Sequence, residues 1–170
     1  MKKLIWLVVA AALCFAFVSC DQDSGPSMNE AYAGTWYGYN YDLDLIKSEM
    51  TDSTYEDSFW NGEEFVSAAK GTIKKVAEGE IDLQMTEIYL STDIMGDSFP
   101  AADEGWYSKE KFIDWGIENG YWTNEAGMID LTGMDFESVT YKYELLAEGT
   151  MLTLTSNDDS YAFTSVNPVQ

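Results

Sequence analysis

Apolar and polar residues alternate with period two through much of the chain, the spacing that turns one face of a strand to a core and the other to water. The C-terminal third shows this most clearly. Val139, Tyr141, Tyr143 and Leu145 alternate with Thr140, Lys142 and Glu144, and a turn follows at Glu148-Gly149. Leu152 and Leu154 then alternate with Thr153 and Thr155, and after Ser156-Asn157-Asp158-Asp159 the apolar positions are Tyr161 and Phe163. Three short strands at this spacing predict an antiparallel meander. Upstream, Gly34-Thr35-Trp36-Tyr37-Gly38-Tyr39-Asn40-Tyr41 predicts an aromatic-rich strand. Residues 54–60 and 63–69 flank Asn61-Gly62, a dipeptide suited to a type I′ hairpin, and residues 71–76 and 80–90 flank Ala77-Glu78-Gly79 as a second hairpin. Within 80–90, Ile81, Leu83 and Met85 share one parity while Ile88 and Leu90 have the other, which predicts a bulge near Thr86.

One segment breaks the alternation. Ser108 is placed to cap a helix over 109–119, with Gly120 ending it and Phe112, Trp115 and Asn119 on one side. Gly116 inside it costs about 1 kcal/mol relative to alanine. Residues 93–105, with Gly96, Pro100 and Gly105, predict a long loop before the helix. Many antiparallel strands with short turns leave unpaired edges unless the sheet closes or doubles. The expectation is therefore an all-β fold: a single antiparallel up-and-down barrel of about eight strands with one short helix in a long loop. An open β-sandwich is the alternative. Trp36, Leu83, Tyr141, Tyr143, Leu152, Leu154 and Phe163 are expected to share the core.

The N-terminus follows a different logic. Lys2 and Lys3 precede an uncharged, almost wholly apolar run of 15 residues, 4–18. That length suits the apolar region of a signal peptide and is short for a membrane span of roughly 20 residues. Polarity returns abruptly at Ser19-Cys20-Asp21-Gln22-Asp23. Phe17-Val18-Ser19-Cys20 resembles the processing site of bacterial lipoproteins, in which the cysteine is lipidated and becomes the mature N-terminus. That resemblance implies a signal peptide over 1–19 and a lipidated Cys20 that anchors the protein to a membrane of the cell envelope. Asp21 hints at retention in the inner membrane. Residues 20–33, aperiodic and carrying Gly25 and Pro26, read as a tether, and 34–170 as the domain. Cys20 would be the only cysteine left after cleavage, so no intramolecular disulfide is expected.

Composition narrows the chemistry. The chain of 170 residues carries 30 acidic groups against 9 lysines, with no arginine and no histidine, for a net charge of −21. Without histidine there is no Ser-His-Asp or Cys-His system and no imidazole metal ligand. A nucleic-acid backbone would be repelled. No nucleophile elbow, no phosphate-cradling glycine loop and no EF-hand pattern is present. Asp42 with Asp44, and Asn157 with Asp158 and Asp159, read as solvated acidic surface rather than as calcium ligands. Neither an enzyme nor a bound metal or cofactor is expected.

Gly34-Thr35-Trp36 resembles the Gly-x-Trp entry of lipocalins. The closing meander, with Tyr141-Lys142-Tyr143-Glu144-Leu145 and Thr150-Met151-Leu152-Thr153-Leu154, is similar to the last strands of small bacterial lipocalin-like domains. Lys70-Gly71-Thr72-Ile73 and Gly79-Glu80-Ile81-Asp82-Leu83 resemble their middle hairpin. The likeness spans most of 34–166, and departs in lacking the late arginine that packs across the lipocalin tryptophan. It implies a binding domain for one small molecule, here apolar or aromatic and, given the acidity, not anionic. The alternative is a surface protein with a filled barrel that binds another protein through its loops. An internal cavity of a few hundred Å³ favours the first, and a filled core with an exposed aromatic patch the second. The aromatics of the longest non-strand segment, with the first strand, supply the candidate ligand contacts: Trp106, Trp115 and Trp122, then Tyr37 and Tyr39. A plug packed on the barrel is the rival reading of that segment.

Overall fold

The computed structural model describes residues 30–40, 43–95, 99–132, 134, 136–157 and 159–169. The period-two segments become strands β1 (Gly34–Tyr39), β3 (Thr54–Trp60), β4 (Phe65–Ala77), β5 (Glu80–Leu90), β7 (Ser138–Leu146), β8 (Met151–Thr155) and β9 (Ser160–Thr164), and two strands that the alternation does not predict join them, β2 (Leu45–Met50) and, at the end of the expected long loop, β6 (Gly105–Ser108). All pairings are antiparallel, in the order β4-β3-β2-β1-β9-β8-β7-β5-β6, and an additional β4–β5 pairing closes the sheet on itself. Eight strands thus form a ring in chain order, and β6 lies outside it. Closure leaves no long free edge, which is how an acidic all-β chain avoids edge-to-edge association.

The expected bulge is present. Lys70 faces Glu87 and Gly71 faces Met85, so Thr86 is the extra residue, and its hydroxyl donates to the Lys70 carbonyl at 3.2 Å. Past it, Ile88 and Leu90 are buried. A second irregularity lies between Asp57 and Ser58, which face Ala69 and Ser67, leaving Ala68 as an added residue in β4. The Asn61-Gly62 hairpin is longer than a two-residue turn. β3 and β4 pair from Trp60↔Phe65, and the Asn61 side-chain oxygen accepts from the amides of Glu63 (3.0 Å) and Glu64 (2.9 Å). An asparagine that satisfies two loop amides favours this wider loop over type I′. Residues 63–69 and 71–76, read as separate strands, fall in one β4 that runs through Gly71.

Two cores result. The first fills one end of the ring with Tyr32, Trp36, Met50, Ile73, Ile81, Leu152 and Leu154, and Leu83, Tyr141, Tyr143 and Phe163 pack against it. Tyr32 closes that end. It is fully buried, its hydroxyl donates to the Asp52 carbonyl (2.9 Å), and its own carbonyl accepts from the Trp36 indole (2.8 Å). Its ring meets Tyr143 edge-on at 5.3 Å. Glu30 adds an ion pair to Lys75 at 2.8 Å. The packed domain therefore starts by Glu30, inside the stretch that the sequence assigned to the tether.

The second core belongs to the insertion between β5 and β7. It holds a single helical turn α1 (Thr92–Met95), strand β6, helix α2 (Lys109–Glu118) and helix α3 (Glu125–Thr132). Ser108 caps α2, accepting from the Lys111 amide, and Gly120 follows its end at φ +76°. Ile88, Leu90, Phe99, Tyr107, Phe112, Trp115, Trp122, Met128 and Phe136 form one buried cluster. The structure explains Gly116: a Cβ there would lie 1.9 Å from the Trp122 indole, whose N–H donates to the Ile113 carbonyl at 3.0 Å. The helix gives up propensity so that a tryptophan lies directly on its backbone.

Candidate functional site

The ring is hollow between its closed end and the opposite rim. Strand parity turns Ile46, Ser48 and Met50 of β2, Tyr55 and Asp57 of β3, Leu83 and Met85 of β5, Val139 and Tyr141 of β7, Leu154 of β8, and Tyr161 and Phe163 of β9 toward a cavity of about 400 Å³. Ala68 and Ala69, the two residues at the β4 bulge, complete the wall opposite Asp57, where their small side chains leave room. Tyr39 and Asn40 of the first hairpin and Glu137 ahead of β7 mark the mouth. Met85 lines the cavity and also packs against the insertion core, so the insertion flanks the wall.

Gly71 sets the orientation of Tyr55. The two are cross-strand partners, and a Cβ on Gly71 would lie 2.5 Å from the Tyr55 ring and 2.1 Å from the Gln84 carbonyl. The ring lies over the bare backbone, the aromatic cover that a strand glycine invites. Gly38 is paired with Phe163 in the same manner, with 2.7 Å to the ring.

Asp57 is the unusual member of this wall. It faces Ser48, its direct partner on β2, whose side chain is buried. Burial pushes the Asp57 carboxyl up to about 6; the hydrogen bond with Ser48 opposes that rise, and the nearby Glu56 charge adds to it. Burial also raises Tyr55, with further contributions from Asp57 and Tyr141. Tyr141 is raised to about 12 by burial, then by Tyr161 and Asp159. At neutral pH the phenols are therefore uncharged, and Asp57 is a carboxylate close to its titration range. Among the described residues that line the cavity, none is a lysine.

The candidate contacts from the sequence are dispersed. Tyr39 stands at the cavity mouth, 59% exposed. Tyr37 lies on the other face of β1 from Trp36, its ring 5.8 Å from Phe65, which Lys47 approaches from 5.6 Å. Trp106 lies across from Tyr89 on β5, and Lys70 sits 4.2 Å from its ring centre while pairing with Glu87 at 2.6 Å. Trp115 and Trp122 are buried in the insertion core. Asp44 is held in the first hairpin by Asn40 (3.1 Å). Cys20, Asp42 and Asp158 lie outside the described residues. Ser48, Tyr55 and Asp57 were not singled out by the sequence. The available signal was Tyr55-Glu56-Asp57, which places a tyrosine and a carboxylate on one face of a strand, but only the position of Gly71 tells which face is inside.

Among the described residues no group of three or more potential ligand residues is arranged to hold a metal, and no helix is long and apolar enough to cross a membrane. Known protein families, curated proteins and solved structures provide no match to this chain.

Proposed function

We propose that this chain is a lipid-anchored protein of the bacterial cell envelope whose lipocalin-like barrel binds a small apolar or aromatic, non-anionic ligand. The observation that carries the binding reading is the space inside the ring: a cavity of about 400 Å³, open on one side and lined by methionine, leucine and tyrosine side chains among others, within the size range of small-molecule sites. A filled barrel acting only through its loops has no use for such a space. Among the described residues the lining holds Asp57 and Glu137 and no lysine, which disfavours anions.

The cavity reading is tested at Ala69, which faces the space. Phenylalanine there fills the cavity without crowding the packed core. Mass spectrometry of the full chain purified from its host should find a small molecule retained by the wild type and lost from Ala69→Phe, with little change in melting temperature. Wild-type and variant chains that are equally empty sink the reading. The anchor rests on the apolar run that ends at Ser19-Cys20. Cys20→Ser should move the protein from the membrane fraction to the soluble fraction or leave it unprocessed, because stable anchoring needs the acyl chains. A wild-type protein that partitions into the aqueous phase of a detergent extraction overturns it.

A further inference from the structure

Among the described residues, Asp57 has no counter-charge in the wall that surrounds it. A carboxylate removed from water is normally met by an arginine, a lysine or several amide donors. The chain contains no arginine or histidine, and no lysine lines the cavity among the described residues. Ser48 supplies a hydroxyl from β2. Across from Asp57, β4 contributes only Ala69 and the bulged Ala68, so the side of the carboxylate toward the cavity faces open space. Around that space stand the rings of Tyr55, Tyr141 and Tyr161, whose faces attract cations. Glu137 at the mouth adds a second negative charge along the way in.

We infer that the cavity binds a small organic amine in its ammonium form, with Asp57 as the counter-ion and the tyrosine rings enclosing its apolar or aromatic body. This rests on the binding reading of the preceding subsection and narrows it to one ligand class. A neutral apolar ligand would cover the carboxylate and leave it with the Ser48 hydroxyl but no counter-charge, whereas an ammonium group completes it with a charge-assisted hydrogen bond. The groups facing Asp57 are Ser48 from β2, Tyr55 from its own strand, the alanines of β4, Tyr141 from β7 and Tyr161 from β9, with Glu137 at the rim and the charge of Glu56 acting from the outer face of β3. Burial raises the phenols of Tyr55 and Tyr141 away from neutral pH, so Asp57 decides the pH dependence inside the wall. Affinity for an amine should hold at neutral pH and fall as the solution is acidified through about 6.

Three probes of matched shape separate the possibilities: 2-phenylethylamine, 2-phenylethanol and 3-phenylpropanoate. Each is titrated calorimetrically into the full chain at about 0.15 M salt, where attraction to surface charge is largely screened. The amine should bind about tenfold or more tighter than the alcohol, the advantage expected of a charge-assisted contact, and the propanoate should show no binding. Asp57→Asn should remove the preference, so that the amine binds no tighter than the alcohol. Glu49→Gln, which removes an exposed carboxylate from the outer face of β2, should retain the preference. Equal binding of amine and alcohol to the wild type overturns the amine inference while leaving the cavity reading intact. A preference that survives Asp57→Asn overturns it as well, by placing the recognition elsewhere. Failure of all three probes to bind overturns both readings.

Discussion

Trp115→Ala should destabilise the protein by about 3–5 kcal/mol, the usual cost of deleting a large buried aromatic side chain. Trp115 is 8% exposed and lies at the centre of the insertion core. Its ring stacks on Phe112 (6.2 Å, 8°) and on Tyr121 (5.1 Å, 18°), and it meets Phe99, Tyr107 and Trp122 at 5.5 to 6.3 Å. Removing it leaves these rings without a common neighbour and opens a void that a rigid sheet edge cannot collapse to fill. Its indole N–H has no hydrogen-bond partner among the described residues. Trp115→Phe, which removes that buried donor and keeps most of the ring area, should therefore lose much less. Urea denaturation of the three proteins measures the difference. A Trp115→Ala chain as stable as the wild type, but defective in binding, would instead make Trp115 a ligand contact and the insertion a rim.

Asp57→Asn should stabilise the protein at pH 7 by up to about 3 kcal/mol, the free-energy equivalent of raising a carboxyl from its ordinary value near 4 to about 6. The sign follows from linkage. The folded chain holds the Asp57 proton more tightly than the unfolded chain, so the associated stability is fully present below about pH 4. It is lost as pH rises through about 6. Asparagine removes the charge and still offers Ser48 an acceptor oxygen. The advantage of the variant should therefore be largest at pH 7 and above, shrink between pH 6 and pH 4, and vanish below. Comparing wild type with variant at each pH cancels the general self-repulsion of a chain of net charge −21. A variant less stable than the wild type at pH 7, or a gap that does not change with pH, would contradict burial as the cause. A wall residue that weakens the fold at working pH is what a binding site produces when its geometry serves the ligand rather than the core.

Local chemistry wrote several elements directly into the chain. The meander of β7, β8 and β9 follows from strict alternation, because each strand has one wet and one dry face. Ser108 and Gly120 delimit α2 through backbone groups within a few residues of each, an oxygen for an unpaired amide and a positive φ at the end. The Thr86 bulge was legible as a change of parity, since a strand cannot otherwise keep both Met85 and Ile88 on its inner side. From these, antiparallel closure followed as the way to dispose of edges.

The elements that escaped were those whose reasons lie across the fold. β2 has an inward position occupied by Ser48, and a polar residue facing inward looks, in a hydropathy pattern, like one facing out. Only the pairing with Asp57 explains it. The short β6 is a strand because Tyr89 and Leu90 of β5 extend past the end of β7 and need a partner. Gly116 is a weakness of α2 by propensity and a necessity once Trp122 lies on it, and Tyr32 sits in an aperiodic stretch yet is fully buried against the ring. Asp57 was one of 30 acidic residues. What sets it apart is neither its type nor its neighbours in the chain but the bulge at Ala68 and the bare backbone of Gly71, which together fix the inner side of β3 and leave space in front of the carboxylate. The sequence by itself determined the strands and caps that depend on neighbouring residues. The cavity and its carboxylate were decided by tertiary structure alone, because enclosure is a property of surfaces that meet only after the ring has closed.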